Sequence, residues 1–337
     1  MATVRPNIQD VAALAGVSKS LVSLALSGSP RVGADSRKRI FDAAEALSYR
    51  KNAAARTLVA RRSKTIGVLV LDLHNPVFAE ILDGVQDEMR RNGFTTMLVS
   101  GGEDPVLEQA DIETLLQFQV DGLILISHRL APDKLAAFAK EVPTVVVTRS
   151  DMQIPNMDVV SNDDVDGTEL AIDHLVSLGH TRITYLSGGE NPTSEARVQG
   201  YLKAMSRHKL QSEIRVVPAG LTDAAGYAAA LIALGDNPTA IVVANDLAAM
   251  GAIAAAQDSG LNVPDDVSIV GYDGIAFGGL KNVNLTTVAQ PLSQLGSLAA
   301  LRLIERISEP KQPAQQIRVA AKLLIRGTTA VPKSKNL

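Results

Sequence analysis

The period of the chain changes at Thr65. From there on, apolar runs of four to six residues alternate with helical segments: Ile66–Leu71, Thr95–Ser100, Gly122–Ile126, Thr144–Thr148, Ile183–Leu186, Arg215–Pro218, Ile241–Ala244 and Ser268–Tyr272. Parallel strands need a crossover of a dozen or more residues, usually a helix, so this alternation predicts parallel sheets in an α/β body. The 273 residues after Lys64 are long for one such sheet and comfortable for two subdomains. A crossing between them is expected near Ser161–Asn162, where the first half ends and a new helix begins.

Open α/β sheets bind ligands in the crevice beyond their strand carboxyl ends. The polar residues at those ends are therefore candidates. Asp72 and Asn75 follow the first strand in LDLHNPVF, with Phe78 one turn on. Arg149 follows the fourth strand in VVVTRS, and Arg197 lies after the SGG turn in SEARVQGY. Asn245 and Asp246 end IVVAND, Asp273 ends SIVGYD and Gln290 ends TTVAQ. Plainer roles remain open for some of them: Asp246 can simply cap the next helix, and Asn75-Pro76 can simply shape a turn.

The first 64 residues are a different kind of sequence. They hold twelve Lys or Arg against four Asp or Glu, a net charge of +8, while the remainder carries −11. A small basic module on an acidic body is the layout expected when one end meets a polyanion. Within it, Asn7 is a good N-cap. Ile8, Val11, Ala12, Leu14 and Ala15 supply an apolar face, and Gly16 can take the positive φ that ends a helix. Val17 packs inward, Ser18 caps a second helix, and Leu21, Val22 and Ala25 face the first. Two short helices joined by a glycine turn are the helix-turn-helix pattern. A third helix is expected from Asp35 or Ser36 to Leu47, with Ile40, Ala43, Ala44 and Leu47 closing the core.

The run IQDVAALAGVSKSLVSLAL (Ile8 to Leu26), then NAAARTL (Asn52 to Leu58), then IGVLV from Ile66, resembles the lactose-repressor (LacI) family of bacterial regulators over essentially the whole chain. The resemblance implies an all-α helix-turn-helix DNA-binding domain at 1–50 and a hinge helix and linker at 51–64. It further implies an α/β periplasmic-binding-protein-like core at 65–330 of two doubly wound subdomains, and a tail at 331–337. Two more crossings, near Gln290 and Lys322, come from the resemblance alone. They divide the core into an N-subdomain (about 65–161 and 291–321) and a C-subdomain (about 162–289 and 322–330).

On this reading the protein is a dimer on a near-palindromic operator. Ser18, Lys19, Ser20, Ser23 and Leu24 are the DNA-facing residues of the recognition helix. The family usually has a polar residue where Leu24 stands. Leu24 either touches a thymine methyl or lies at the edge of the helical core. Asn52, Ala55, Arg56 and Leu58 belong to a hinge that in the family folds only on DNA and wedges a Leu into the central base step. Arg61, Arg62 and Lys64 add phosphate contacts.

In the core, Asn75, Phe78, Arg149, Arg197, Asn245, Asp273 and Gln290 match sugar-gripping positions of related periplasmic pentose-binding proteins. The chemistry suits vicinal hydroxyls: carboxylates and amides form paired hydrogen bonds, Arg donates in a planar fork, and a ring covers the apolar sugar face. Val77 and Leu221 stand where those binders have aromatics, and Thr148 where they have a carboxylate. The expected effector is thus a small sugar or polyol rather than necessarily the pentose itself, its charge left open by Asp273 on one side and the two Arg on the other.

No catalytic arrangement is evident, and an enzyme of the α/β class is a distant alternative. The five His show no metal spacing, and the chain has no Cys. No cofactor, no metal, no membrane insertion and no export are expected, and the expected location is the cytoplasm, which the absence of Cys suits without proving. The tail from Thr329 lacks the leucine heptads of a tetramer-forming segment, hence the dimer. A purine-type co-repressor or a phosphocarrier-protein partner are the alternatives within the family. If Leu58 is the wedge, Leu58→Ala weakens operator binding by tenfold or more relative to random DNA, roughly the cost of a buried apolar contact. Equal losses on operator and random duplexes in a fluorescence-anisotropy titration would defeat that role.

Overall fold

A computed structural model describes residues 6–50, 62–149, 151 and 153–333. Contacts divide the chain into two units, Met1–Ser63 and Lys64–Leu337. Residues 51–61, with Asn52, Ala55, Arg56 and Leu58, lie outside the described residues.

In the first unit, helix α1 (Ile8–Ala15) starts at a reciprocal cap. Asn7 Oδ1 accepts from the Gln9 N–H at 2.7 Å, and the Asp10 carboxylate accepts from the Asn7 N–H at 2.8 Å. Gly16 ends it at φ 65°, a conformation that glycine adopts without penalty. Helix α2 (Lys19–Leu26) opens at Ser18, whose Oγ accepts from the Leu21 N–H at 3.2 Å, and the chain turns through 102° between the two helices. That angle is the helix-turn-helix geometry.

Helix α3 (Ala34–Ala46) begins a residue before the expected start, with Gly33 as its N-cap. Val11, Val22, Ala25 and Ile40 are fully buried in the core of the three helices. Leu14, expected on the core face, is 57% exposed. At about 100° per residue it lies roughly 110°, nearly a third of a turn, from the centre of the arc through Val11, Ala12 and Ala15.

The second unit holds two six-stranded sheets. The first orders its strands β11-β5-β4-β3-β1-β2, all parallel. Its members are β1 (Thr65–Val70), β2 (Thr95–Ser100), β3 (Gly122–Ile126), β4 (Thr144–Val147), β5 (Met157–Asn162) and β11 (Gln316–Val319). The second orders β12-β10-β9-β8-β6-β7, with β12 antiparallel to β10. It contains β6 (Ile183–Leu186), β7 (Arg215–Val217), β8 (Ala240–Val243), β9 (Ser268–Asp273), β10 (Thr286–Ala289) and β12 (Lys322–Leu324). β5, β11 and β12 were not singled out from the sequence. β5 carries Asp158 and Asn162 in a strand buried on both faces, and β11 and β12 are four and three residues long at sheet edges.

The chain passes between the sheets three times: after β5, after β10, and between β11 and β12. After the second passage, helix α11 (Leu292–Ser308) returns to the first sheet and lies against α4 (Pro76–Arg91). The two helices approach backbone to backbone. A Cβ on Gly296 would lie 2.0 Å from the Ile81 carbonyl oxygen, and one on Gly84 2.1 Å from that of Ser293. Asp158 of β5, fully buried, fixes the other end of α11. It accepts from Arg306 Nε at 2.6 Å and Nη2 at 2.9 Å, and from the Gln315 N–H at 2.7 Å.

Lys64 opens this unit. Its N–H donates to Asp121 and its ammonium lies 4.2 Å from the centre of the Phe94 ring, with the residue exposed. Among the described residues no single helix is long and apolar enough to cross a membrane.

Because neither helix backbone can retreat without uncovering the sheet, Gly296→Ala should destabilise the unit by about 2–3 kcal/mol, the cost of overpacking a tight contact. Urea unfolding monitored by circular dichroism checks this; a change within about 0.5 kcal/mol would show that the helices can separate freely.

Candidate functional site

Two surfaces carry the sequence-predicted residues. On the first unit, Lys19, Ser20, Ser23 and Leu24 are all exposed on one side of α2, opposite buried Val22 and Ala25. Leu24, 40% exposed, is therefore not part of the helical core, which leaves apolar contact as its available role. Ser18 is committed to capping α2 through its Oγ, so its place is at the helix N-terminus, where backbone N–H groups favour an anion.

In the second unit the two sheets share the doubly wound strand order. β1 has β2 on one side and β3 on the other, and β6 has β7 and β8. Crevices open at such switch points. A cavity of about 690 Å³, part of it continuous with solvent, lies at the carboxyl ends of both sheets. The first sheet contributes Leu71, Ser127, Thr148, Arg149 and Asn162, and the second Ala244, Asn245, Asp273 and Gln290. Phe78 and Asn75 from the start of α4, and Arg197 from α8 (Pro192–Arg207), complete the polar ring. Seven of the eight candidate effector residues thus line one cavity. Asp72 does not; its carboxylate accepts from the His74 N–H at 2.9 Å and meets His74 Nδ1 at 2.7 Å.

Each side chain is positioned by local chemistry. Asn75 caps α4 by accepting from the Val77 N–H at 3.1 Å, and Asn245 caps α10 (Asp246–Asp258) by accepting from the Ala248 N–H at 3.0 Å. Asn245 also donates to the Leu221 carbonyl at 2.9 Å, tying down the loop after β7. Arg149 donates twice to Asp151, at 2.8 and 3.0 Å, and once to the His128 carbonyl at 2.9 Å. This bond holds the Asp151 carboxyl below its usual range. Arg197 donates to Asp164 at 2.8 Å, to the Ala244 carbonyl at 2.5 Å and to Asp273 at 3.4 Å, with its plane 3.7 Å from the centre of the Tyr272 ring. Gln290 donates to Asp273 at 2.6 Å. Thr193 Oγ1 reaches the Thr148 carbonyl at 3.4 Å, which joins the two cavity walls.

Ser127, Thr148 and Asp273 all have positive φ, at 57°, 74° and 116°. Non-glycine residues seldom adopt this conformation, and it clusters where a strand end turns to present a side chain. Ser127 and Arg129 were missed in the sequence. Ser127 follows β3 and obeys the same strand-end rule that found the others; Arg129 lies in a loop, and Asn191 and Thr193 are the N-cap and first turn of α8, where no strand-end pattern points to them. Among the described residues no group of three or more His, Asp or Glu side chains converges as a metal site.

Asp246 is not the cap of α10. It is fully buried, and its carboxylate accepts from the Gly274 and Ile275 N–H groups, both at 2.9 Å, and from Thr287 Oγ1 at 2.5 Å. It thus latches the turn that carries Asp273. Burial, then repulsion from Asp273, pushes the Asp246 carboxyl up to about 7.

Residues 7–52 match the family model of bacterial regulatory proteins of the lacI type, and residues 172–329 that of a periplasmic binding protein-like domain. The chain is 33% identical over 326 residues to the HTH-type transcriptional repressor PurR of Mannheimia succiniciproducens, covering 95% of this chain and 97% of that protein. The chain belongs to the LacI family of bacterial transcriptional regulators. Among solved structures it resembles the lac repressor dimer bound to operator and the anti-inducer ONPF, with a TM-score of 0.87 and 27% identity over 97% of this chain and all of that one. It also resembles a LacI family regulator from Enterococcus faecium with bound ribose, with a TM-score of 0.73 and 30% identity over 80% of this chain and all of that one. The chain is a ligand-responsive DNA-binding repressor of this family and not an enzyme.

The raised Asp246 carboxyl has a consequence for stability. A group whose folded pKa lies above its unfolded value of about 4 contributes stability that is complete below about pH 4 and is lost as pH rises toward 7. Asp246→Asn keeps an acceptor for the two N–H groups and cannot ionise. The difference in unfolding free energy between pH 5 and pH 8 should therefore shrink in the variant by about 1 kcal/mol or more. An unchanged difference in urea titrations at the two pH values would mean that Asp246 ionises normally.

Proposed function

We propose that the protein acts as a homodimer on a near-palindromic operator and that a small sugar or polyol held in the cleft sets its DNA affinity. Lys19, Ser20, Ser23 and Leu24 read base edges, Ser18 places the helix N-terminus on a phosphate, and Asn52, Ala55, Arg56 and Leu58 form the minor-groove hinge. Asn75, Phe78, Arg149, Arg197, Asn245, Asp273 and Gln290 bind the effector; Asp72, turned to His74, does so only if it reorients.

The observation that carries the ligand class is the cavity lining itself. Amide, carboxylate and guanidinium groups converge from the strand ends of both sheets, and Phe78 is the one aromatic among the described lining residues. That balance suits a ligand with many hydroxyls and one apolar face. A flat purine would lack a second ring to stack upon, since Val77 and Leu221 offer aliphatic contact instead.

Coupling to DNA follows from thermodynamics. A ligand that favours one arrangement of the two subdomains shifts operator affinity, and the operator shifts ligand affinity by the same factor. Equal affinity for both states would do nothing.

A thermal-shift screen of sugars, polyols, their phosphates and purines should return a sugar or polyol that raises the melting temperature. Gln290→Ala should weaken that ligand by about 1–2 kcal/mol, a factor of about 5–30, because it removes a donor to a charged group at the site. The same ligand should change operator affinity. A purine hit insensitive to Gln290→Ala would overturn the sugar reading.

A further inference from the structure

Three guanidinium groups line the cavity, and each is already matched by a carboxylate. Arg129 pairs with Glu103 at 2.9 Å and Arg149 with Asp151 through two hydrogen bonds, whereas Arg197 has two partners, Asp164 and Asp273. His128 adds no charge, because burial, and then the Arg149 charge, pushes its imidazole down to about 3. Behind Asp273 stands the buried carboxyl of Asp246. On the side of the second sheet, two carboxylates, Asp164 and Asp273, therefore bear on the single guanidinium of Arg197.

The surplus carboxylate is Asp164. It opens α7 (Asp164–Ser177), is 3% exposed, and is not among the residues lining the cavity. Its position beside Arg197 comes from a close helix approach. A Cβ on Gly200 of α8 would fall 2.4 Å from the Val165 carbonyl oxygen, so only glycine lets α7 and α8 lie this near. Asp164 Oδ1 takes Arg197 Nε at 2.8 Å and Asn162 Nδ2 at 3.1 Å; Oδ2 is buried without a hydrogen-bond partner among the described residues.

We infer that Asp164 is a specificity-determining residue of the cleft: it claims the Arg197 charge from behind, so that the cavity accepts uncharged polyhydroxy ligands and rejects their phosphates and carboxylates. An anion in the cavity meets no unclaimed guanidinium, and it lies close to carboxylates in a poorly screened site where like charges repel. Asp164 touches no ligand; it acts through Arg197, as a positioning residue. This inference rests on the cleft being the effector site.

Isothermal titration of the full-length protein with ribose, xylitol and glucose beside ribose 5-phosphate, glucose 6-phosphate and the corresponding aldonates tests it. The wild type should prefer the neutral member of a binding pair by at least about 100-fold. Asp164→Asn leaves the Oδ1 acceptor in place and puts an amide where Oδ2 has no partner; it should narrow that preference by about tenfold or more. Asp164→Glu, which restores the charge, should keep the preference. Asp164→Ser takes the place of Asp164→Asn should the latter fail to fold. A wild type that binds the phosphate or aldonate as tightly as the neutral ligand overturns the inference while leaving the cleft as effector site. So does a folded, charge-removed variant with unchanged preference. Failure of every neutral and anionic probe to bind the wild type would instead overturn the sugar-binding cleft, and this inference with it.

Discussion

The guanidinium of Arg197 is the point through which the second subdomain is organised. It is buried, and a buried cation persists only when paired and fully hydrogen-bonded. Its partners come from three separate places: Asp164 at the start of α7, the Ala244 carbonyl after β8, and Asp273 at the end of β9. The Tyr272 ring covers its face. Asp273 is in turn held by Gln290 after β10, and Tyr272 by Asn162 at the end of β5. One charge thereby fixes the strand ends that surround the cavity, and removing it would leave two carboxylates buried against each other.

Asn162 extends this network between the sheets. It is the last residue of β5 in the first sheet, yet its amide donates to Tyr272 of the second at 3.0 Å and to Asp164 at 3.1 Å. The first crossing is thus tied to the residues that hold Arg197. Thr193 and the Thr148 carbonyl make a second link across the cavity mouth. A ligand that engages both walls acts on these same contacts, which is the physical requirement for a binding event to bias the arrangement of two subdomains.

Much of this was legible in the sequence because strand ends are legible. Asn245, Asp273 and Gln290 each follow an apolar run that can only be a buried strand, and the crevice rule does the rest. Asp72 obeyed the same pattern and yet lies outside the cavity lining, since a short loop lets it reach His74 instead. The helix-turn-helix was equally plain from Asn7, Gly16 and Ser18, whose roles are decided within a few residues. Leu14 was misplaced because a two-turn helix shows too little of its period to define the buried arc. Asp164 gave no signal of its role: in sequence it is one of three acids at a helix start.

What the sequence determined by itself was local: the caps and turn of the first unit, the strand–helix alternation of the second, and the charge division between them. These depend on backbone sterics and on neighbours within a few residues. Only the tertiary structure decided that Arg197 is claimed by Asp164, that Asp158 anchors Arg306 across 148 positions, and that Asp246 latches a turn instead of capping a helix. Those outcomes hang on how closely helices can approach at Gly200 and Gly296, and on which buried charges then have no other partner to choose.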